Sequence, residues 1–261
     1  MAEHGREVTT AAPLIAMRGI GKRFGGVTAL EEVDLELHAG EVLAIVGDNG
    51  AGKSTLIKIL TGVYRPTSGT MTMDGEPLVL NGHSDAIDRG IDAVYQSLAL
   101  ADHLTPAANL FLGSELTRRV FGVPLLDNRR MREEAERVLE ERLGVSLRSM
   151  DVPTSSLSGG QRQAVAIARA VYNSDLKVLV MDEPTAALGP QETARTLKLI
   201  EAVRDQGIAV VVISHSLDDV FAVSDRIQVM RRGRRAGVVN TRETDITSVL
   251  GMIVGATDRA A

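Results

Sequence analysis

The stretch Gly47-Asp48-Asn49-Gly50-Ala51-Gly52-Lys53-Ser54-Thr55 contains the spacing G-x-x-x-x-G-K-[ST], directly after an apolar run and directly before a helical pattern. Glycines let successive backbone N–H groups turn toward one anion, and the helix behind them adds the positive end of its dipole. A polyphosphate is the natural occupant. Lys53 is placed to reach its outer phosphates, and the Ser54 hydroxyl to ligate Mg²⁺. Arginine outnumbers lysine 24 to 5 in this chain, yet the loop uses lysine, a compact charge that suits crowded phosphates better than a planar fork.

A second stretch, Val178-Leu179-Val180-Met181-Asp182-Glu183-Pro184, is an apolar strand tipped by two adjacent acids. The two-residue period of a strand aims them in opposite directions, so they can hold different roles. Asp182 can hold Mg²⁺ through its water shell, and Glu183 can orient or deprotonate an attacking water. Taken alone, Asp182 is equally compatible with capping the turn that follows. A third stretch, Leu157-Ser158-Gly159-Gly160-Gln161-Arg162-Gln163, opens a long helical pattern. Ser158 is a good N-cap, and Gly159 and Gly160 leave the first N–H groups uncovered. That is a second anion site or, in isolation, a plain helix start.

These residues need a scaffold, and the hydrophobic pattern supplies one. From Glu32 to Leu37 apolar and acidic residues alternate, the period of a strand with one wet face in an antiparallel sheet. Glu41 to Val46 is a short apolar run, suited to a parallel strand covered on both faces. Lys53 to Leu60 follows at helical spacing, with Gly62 as a left-handed cap. Buried strands recur at Gly90 to Tyr95, Lys177 to Met181 and Ile208 to Ile213, with helices at Gly159 to Tyr172 and Pro190 to Gln206. This alternation predicts a parallel α/β core. Between Gln96 and Ser158 the strand signal disappears. There Asp127 to Leu143 predicts an amphipathic helix with Met131, Ala135, Val138, Leu139 and Leu143 on one face, hence a helical insertion. A last helix is expected around Ile246 to Val254. Residues 1–13 read as a loose tail.

Composition narrows the function classes. The chain has 261 residues, 44% hydrophobic and 24% charged, enough for one domain with a sizeable core. A net charge of −5 argues against a phosphate-backbone binder, and four Phe, three Tyr and no Trp against a single-strand stacking platform. No nucleic-acid partner is expected. Without cysteine there is no disulfide, thiolate metal site or thiol nucleophile. No apolar run approaches the roughly 20 residues of a membrane span, and no secretory signal leads the chain. A cytosolic location is expected.

Leu157 to Gln161 resembles the LSGGQ signature of the ATP-binding cassette ATPases, upstream of the acid-tipped strand as that family requires. The resemblance covers about Leu14 to Arg235. It implies an α/β P-loop NTPase fold, a RecA-like parallel core with an N-terminal antiparallel β subdomain and an inserted α-helical subdomain. The corresponding division is 14–240 for the ATPase domain, with the insertion at about 97–158, and 241–261 for a C-terminal helix and tail. ATP and Mg²⁺ are the implied cofactors, with Gly47, Asn49, Gly50, Ala51, Gly52, Lys53, Ser54 and Thr55 forming the cradle.

Other positions carry over one by one. Phe24 matches the aromatic that stacks on adenine, although a lone Phe is as readily core. Gln96 resembles the loop glutamine that contacts Mg²⁺ or water, although at a strand end it can simply be solvated. His215 resembles the switch histidine at the γ-phosphate, although an isolated His is commonly a surface residue. Ser158, Gly159, Gly160 and Gln161 are implied to cover the γ-phosphate held by the cradle of another subunit. Two cassettes then sandwich two ATP molecules. The family often has an Asp after Ala-Leu beyond the acid pair; here Ala187-Leu188 is followed by Gly189-Pro190, so no side-chain role is assigned there, and Pro190 is expected to start a helix.

Asp48-Asn49, the Tyr95 to Leu100 run, Asn109-Leu110-Phe111-Leu112-Gly113 and Ala186 to Gly189 are similar to the cassettes of bacterial monosaccharide importers, the single-cassette fructose type above all. This implies a homodimer or a paired separate cassette, membrane permease subunits, an external sugar-binding protein and a place on the inner face of the membrane. Phe111, Phe121, Leu125 and Leu126 either offer apolar surface to a permease helix or pack within the insertion. DNA-associated cassettes usually carry long coiled-coil arms, and translation-type cassettes two copies with a basic linker. Neither feature is present in this sequence. A cassette regulating an exporter or a phosphorelay is a further alternative.

Overall fold

The computed structural model describes residues 12–121, 123–172, 175–186 and 188–256. Ala187 and all but the end of the expected N-terminal tail lie outside the described residues, as do residues 257–261.

Strand β1 (Ile15–Phe24) pairs antiparallel with β2 (Val27–Leu37). Along β2, Val33, Leu35 and Leu37 are buried and the acids between them are not, as the alternation requires. Strand β3 (Val42–Val46) is buried at every residue and leads through the glycine loop into α1 (Lys53–Leu60), which Gly62 closes at φ 72°. Strands β4 (Ser68–Met73) and β5 (Glu76–Pro77) extend the antiparallel sheet to the order β2-β1-β4-β5. After α2 (His83–Asp88), β6 (Ile91–Val94) returns to the parallel sheet.

The chain then leaves the sheet. It forms α3 (Pro106–Leu110), a hairpin of β7 (Thr117–Val120) and β8 (Val123–Leu126), and α4 (Asn128–Arg137), which widens into a π-helical turn at Val138–Arg142. The expected apolar face, Met131, Ala135, Val138, Leu139 and Leu143, is buried throughout. The hairpin departs from the purely helical expectation for this segment. Its residues are exposed almost without exception and Pro124 interrupts it, so neither alternation nor a buried run marked it in the sequence.

Helix α5 (Gly159–Tyr172), strand β9 (Val178–Asp182), helix α6 (Pro190–Arg204), strand β10 (Ala209–Ile213), α7 (Leu217–Val223), β11 (Arg226–Arg231), β12 (Arg234–Asn240) and α8 (Ile246–Val254) complete the fold. Pro190 is the first residue of α6, as expected. The second sheet has the order β12-β11-β3-β10-β9-β6, parallel except for the edge strand β12.

The two-residue period distributes the strands between cores. Leu43 and Ile45, Val178 and Val180, and Val211 and Ile213 face α1 and the antiparallel sheet. Leu179, Met181, Val210 and Val212 face α5, α6 and the insertion. Ala44 and Val46 join β11, α7 and α8 in a third cluster. Two-sided burial is what holds the carboxyl ends of β3, β9 and β10 in register, and those ends carry the chemistry.

Candidate functional site

The loop after β3 depends on its glycines. A Cβ on Gly47 (φ 146°) would lie 2.1 Å from the Met230 carbonyl oxygen, and one on Gly52 (φ 100°) 2.6 Å from Leu30 Cδ2. Both positions exclude larger residues. Gly52 is the N-cap of α1 and no side chain caps this helix, so its first N–H groups are directed at the loop. The Lys53 side chain is 9% exposed. Its Nζ donates to the carbonyl oxygens of Gly47 (2.6 Å) and Asp48 (3.0 Å). Burial lowers its pKa below the ordinary lysine value, against the pull of Glu183, Asp48 and Asp182.

The acid pair sits at the tip of β9. Burial, and then the charge of Glu183, raises the Asp182 carboxyl above its ordinary value, while Lys58 and Lys53 draw it back. No described residue donates a hydrogen bond to the Asp182 side chain. The Asp182 carboxylate, the Ser54 hydroxyl and the Gln96 amide oxygen are all hard oxygen donors, a chemistry that fits Mg²⁺ bound largely through phosphates and water.

Glu183 adopts φ 53°, a costly conformation for a residue with a Cβ. Its backbone is pinned to the core by the N–H donated to Ile213 O (2.9 Å), and its Oε2 lies 2.7 Å from His215 Nδ1. Two loops after adjacent parallel strands thus meet through one contact. Just beyond, Thr185 Oγ1 donates to Asp219 Oδ2 (2.7 Å), tying the turn after Glu183 to α7, the helix after His215. Neither Thr185 nor Asp219 was marked by the sequence pattern.

Val46 through Asn49, Gln96, Glu183, Ser214 and His215 line one cleft of about 590 Å³ together with Leu217, Leu250 and Ile253. The structure therefore brings together the first residues of the cradle (Gly47 to Asn49), the glutamine, Glu183 and the histidine, whereas Gly50 through Thr55 and Asp182 do not line this cleft. Ser158 through Gln161 do not line it. They form a reciprocal capping box at the start of α5: Ser158 N donates to Gln161 Oε1 (3.0 Å), and Gln161 N to Ser158 Oγ (3.4 Å). A Cβ on Gly159 would lie 2.6 Å from Leu188 Cδ2.

Phe24 is 42% exposed and so is not core. Its ring meets Tyr64 edge to face at 5.2 Å, with Lys22 Nζ 5.1 Å from its centroid. It does not line the phosphate cleft. Phe111 is fully buried, edge to face with Tyr172 at 4.6 Å, which decides for packing within the insertion and removes it from the surface candidates. Phe121, Leu125 and Leu126, on or beside the hairpin, are exposed.

The insertion contains a residue whose role the sequence did not disclose. Asn109 is completely buried. Its Oδ1 accepts from Ala101 N (2.7 Å), and its Nδ2 faces Ala101 O (3.0 Å) and Thr154 Oγ1 (2.8 Å). Thr154 Oγ1 in turn donates to Leu104 O (2.7 Å). The segment after Gln96 is thereby joined to the segment before Ser158. Arg169 of α5 adds a second tie, donating to Ala99 O (2.8 Å) and Leu98 O (3.4 Å), where both residues have positive φ.

A parallel sheet with a glycine-rich phosphate loop after one strand and a paired acid at the tip of the next strand but one defines a P-loop nucleotide hydrolase. The family model described as ABC transporter matches residues 30–186, and the chain belongs to this family as one of its ATP-hydrolysing cassettes. It is 42% identical to the fructose import ATP-binding protein FrcA of Rhizobium meliloti, over 94% of this chain and 95% of that one. It is 40% identical to the xylose/arabinose import ATP-binding protein XylG of Sulfolobus acidocaldarius, over 90% and 92%. The ribose import ATP-binding protein RbsA 1 of Burkholderia thailandensis is 43% identical over 93% of this chain, which spans only 47% of that relative.

Among solved structures, cbiO1 of Clostridium perfringens, part of the transporter complex cbiONQ, superposes with TM-score 0.76 at 26% identity, covering 96% of both chains. A dimeric post-hydrolysis cassette, MJ0796 with ADP and Pi, gives TM-score 0.69 at 26% identity, covering 87% of this chain and 99% of that one.

Proposed function

We propose that this chain is the ATP-hydrolysing subunit of a carbohydrate importer, of the monosaccharide and fructose-like kind, working as a pair of cassettes around two ATP molecules. The observation that carries the reading is the composition of the cleft: Gly47 to Asn49 at the start of the cradle, Gln96, Glu183 and His215 converge, while the second anion site of the same chain, Ser158 to Gly160, does not line it. A γ-phosphate in the cradle lacks its cover until a second chain supplies one. The fructose, xylose and ribose import relatives support the cargo class, and the dimeric cassette with ADP and Pi supports the pairing.

In this reading the N–H groups of Gly50 through Thr55 and the Lys53 ammonium hold the β- and γ-phosphates, and Lys53 exchanges its two loop carbonyls for phosphate oxygens. Ser54, Asp182 and Gln96 hold Mg²⁺, which when bound neutralises charge between the phosphates. Glu183 orients the attacking water and accepts its proton. His215 releases Glu183 and turns to the γ-phosphate. Phe24 stacks on the adenine. Ser158, Gly159 and Gly160 of the second chain close over the γ-phosphate with the N-terminus of α5. Binding closes the pair and hydrolysis reopens it, so the interface is the bistable element. The cassette sits at the inner face of the membrane against permease subunits, which receive sugar from an extracytoplasmic binding protein.

Glu183→Gln is expected to bind ATP, to lower kcat by about a hundredfold or more, and to accumulate as a dimer in light scattering. Turnover near the parental rate contradicts the role given to Glu183.

A further inference from the structure

Helix α8 turns one side inward and leaves a line of apolar residues on the other. Val249 and Ile253 are buried against Ala44, Val46, Ile227 and Val229. Ile246, Leu250 and Val254 are 36, 46 and 70% exposed. Spaced four residues apart, they form a single line about 12 Å long on the helix surface. The helix is fixed at both ends, by Asp245 Oδ1 accepting from Ser248 N (2.8 Å) and by Gly255 at φ 79°.

The position of this line matters more than its composition. Leu250 and Ile253 line the phosphate cleft with Gly47, Asp48, Asn49, Glu183 and His215. Ile253, Val254 and Gly255 line an adjoining hollow of about 440 Å³ with Asp48 through Ala51. The two hollows share Asp48, Asn49 and Ile253, so α8 is the rim on which the cradle's shoulder rests. No signature residue of the same chain lines the cleft. In the two-chain reading the cover comes from a second chain and passes Asp48 and Asn49, which border α8 in both hollows.

We propose that Ile246, Leu250 and Val254 of α8 form part of the ATP-closed interface, packing against a second copy of this chain as the signature helix of that copy covers the phosphates. The proposal rests on the two-chain reading above and adds the surface that seals it. Apart from Val46, Ala51, Leu217, Ile253 and the glycines, the rest of the rim is polar, with Asp48, Asn49, Gln96, Glu183, Ser214 and His215 in the cleft and Arg231 and Arg232 in the adjoining hollow. The α8 line supplies the apolar area that an interface core needs, and burying it excludes water from the cleft.

The chain contains no cysteine. Val254→Cys in the Glu183→Gln background therefore introduces a single thiol, whose labelling by a maleimide is timed with and without ATP while sedimentation velocity reports the dimer in the same samples. ATP is expected to produce dimers and to slow labelling about tenfold or more; with Ser158→Arg added, no dimer forms and labelling stays within about twofold. In parallel, Leu250→Asp in the Glu183→Gln background is expected to weaken the ATP-driven dimer about tenfold or more. Full dimer formation with unchanged labelling overturns the role of α8 and leaves the two-chain reading standing, as does a Leu250→Asp dimer as tight as its parent's. Absence of any ATP-driven dimer overturns both.

Discussion

The parallel sheet and the insertion between Gln96 and Ser158 both bury apolar faces but differ in how their ends are tied. In the sheet, β3 and β10 are buried at every residue, so apolar contact on both faces fixes where their carboxyl ends lie. In the insertion the hairpin is almost wholly exposed, and the ends of the segment are tied by directional polar contacts, Asn109 to Ala101 and Thr154, and Arg169 to Leu98 and Ala99. Apolar packing gives a rigid platform for the cradle, the acid and the histidine. A buried polar hub ties the two ends of the insertion to each other by directional bonds. Those two ends are Gln96, which lines the phosphate cleft, and the signature, which in the proposed pair covers the second chain's cradle.

The largest effect that can separate these two modes is expected at the hub. Asn109→Ala removes a fully buried amide, takes from the Ala101 N–H its acceptor and breaks the amide's contacts to Ala101 O, Leu104 O and Thr154 Oγ1, which keep bonds to one another. A loss of about 2–3 kcal/mol, read as a Tm lower by about 5–10 °C, is expected in calorimetry. Leu125→Ala on the exposed hairpin is expected to change Tm by no more than about 1 °C. Equal Tm values for the two variants would remove the contrast drawn here.

A smaller effect is expected where the sheet itself uses a polar tie. Thr185→Val breaks the bond to Asp219 while keeping the shape of the side chain. With about 1 kcal/mol at stake, kcat is expected to fall about fivefold with KM for ATP unchanged, and Thr185→Ser to restore it. A rise in KM without loss of kcat places Thr185 in nucleotide binding instead.

The smallest effect concerns Asp182. Its raised pKa means that its ionised form opposes folding; stability linked to this group is fully present below its ordinary pKa and lost as pH rises through the folded value. Asp182→Asn removes that cost. The nucleotide-free variant is expected to melt no more than about 2 °C above its parent at pH 7.5, with the difference shrinking as pH falls toward 4. Stabilisation by Mg²⁺ with ATP is expected to be lost in the same variant. A difference that grows on acidification contradicts the sign.

The same contrast explains what the sequence disclosed. Val42 to Val46, Val178 to Asp182 and Ala209 to Ile213 could be read as strands because two-sided burial requires unbroken apolar runs. The cradle could be read because Gly47 and Gly52 admit no other residue. The insertion was less legible. Helix α4 announced itself by an apolar stripe, but the hairpin has no buried face and Pro124 interrupts it. Asn109 stood in plain view in the Asn109 to Gly113 run, yet nothing in a linear pattern distinguishes a buried amide hub from a solvated asparagine. Thr185 and Asp219 met through a turn whose path depends on the left-handed backbone of Glu183. The apolar line on α8 looked like an ordinary terminal helix because a linear pattern does not separate its buried residues, Val249 and Ile253, from its exposed ones.

The central claim is that each triphosphate is held by the cradle of one chain and the signature of another. Lys53→Ala destroys one of these and Ser158→Arg the other, so each variant alone is expected to be inactive. Mixed in equal amounts, half of the dimers are heterodimers in which one of the two composite sites keeps both intact parts. Steady-state ATPase of the mixture is then expected to recover to about a quarter of the parental rate per chain. A mixture as inactive as its components, under conditions where heterodimers are demonstrated, would contradict the shared site.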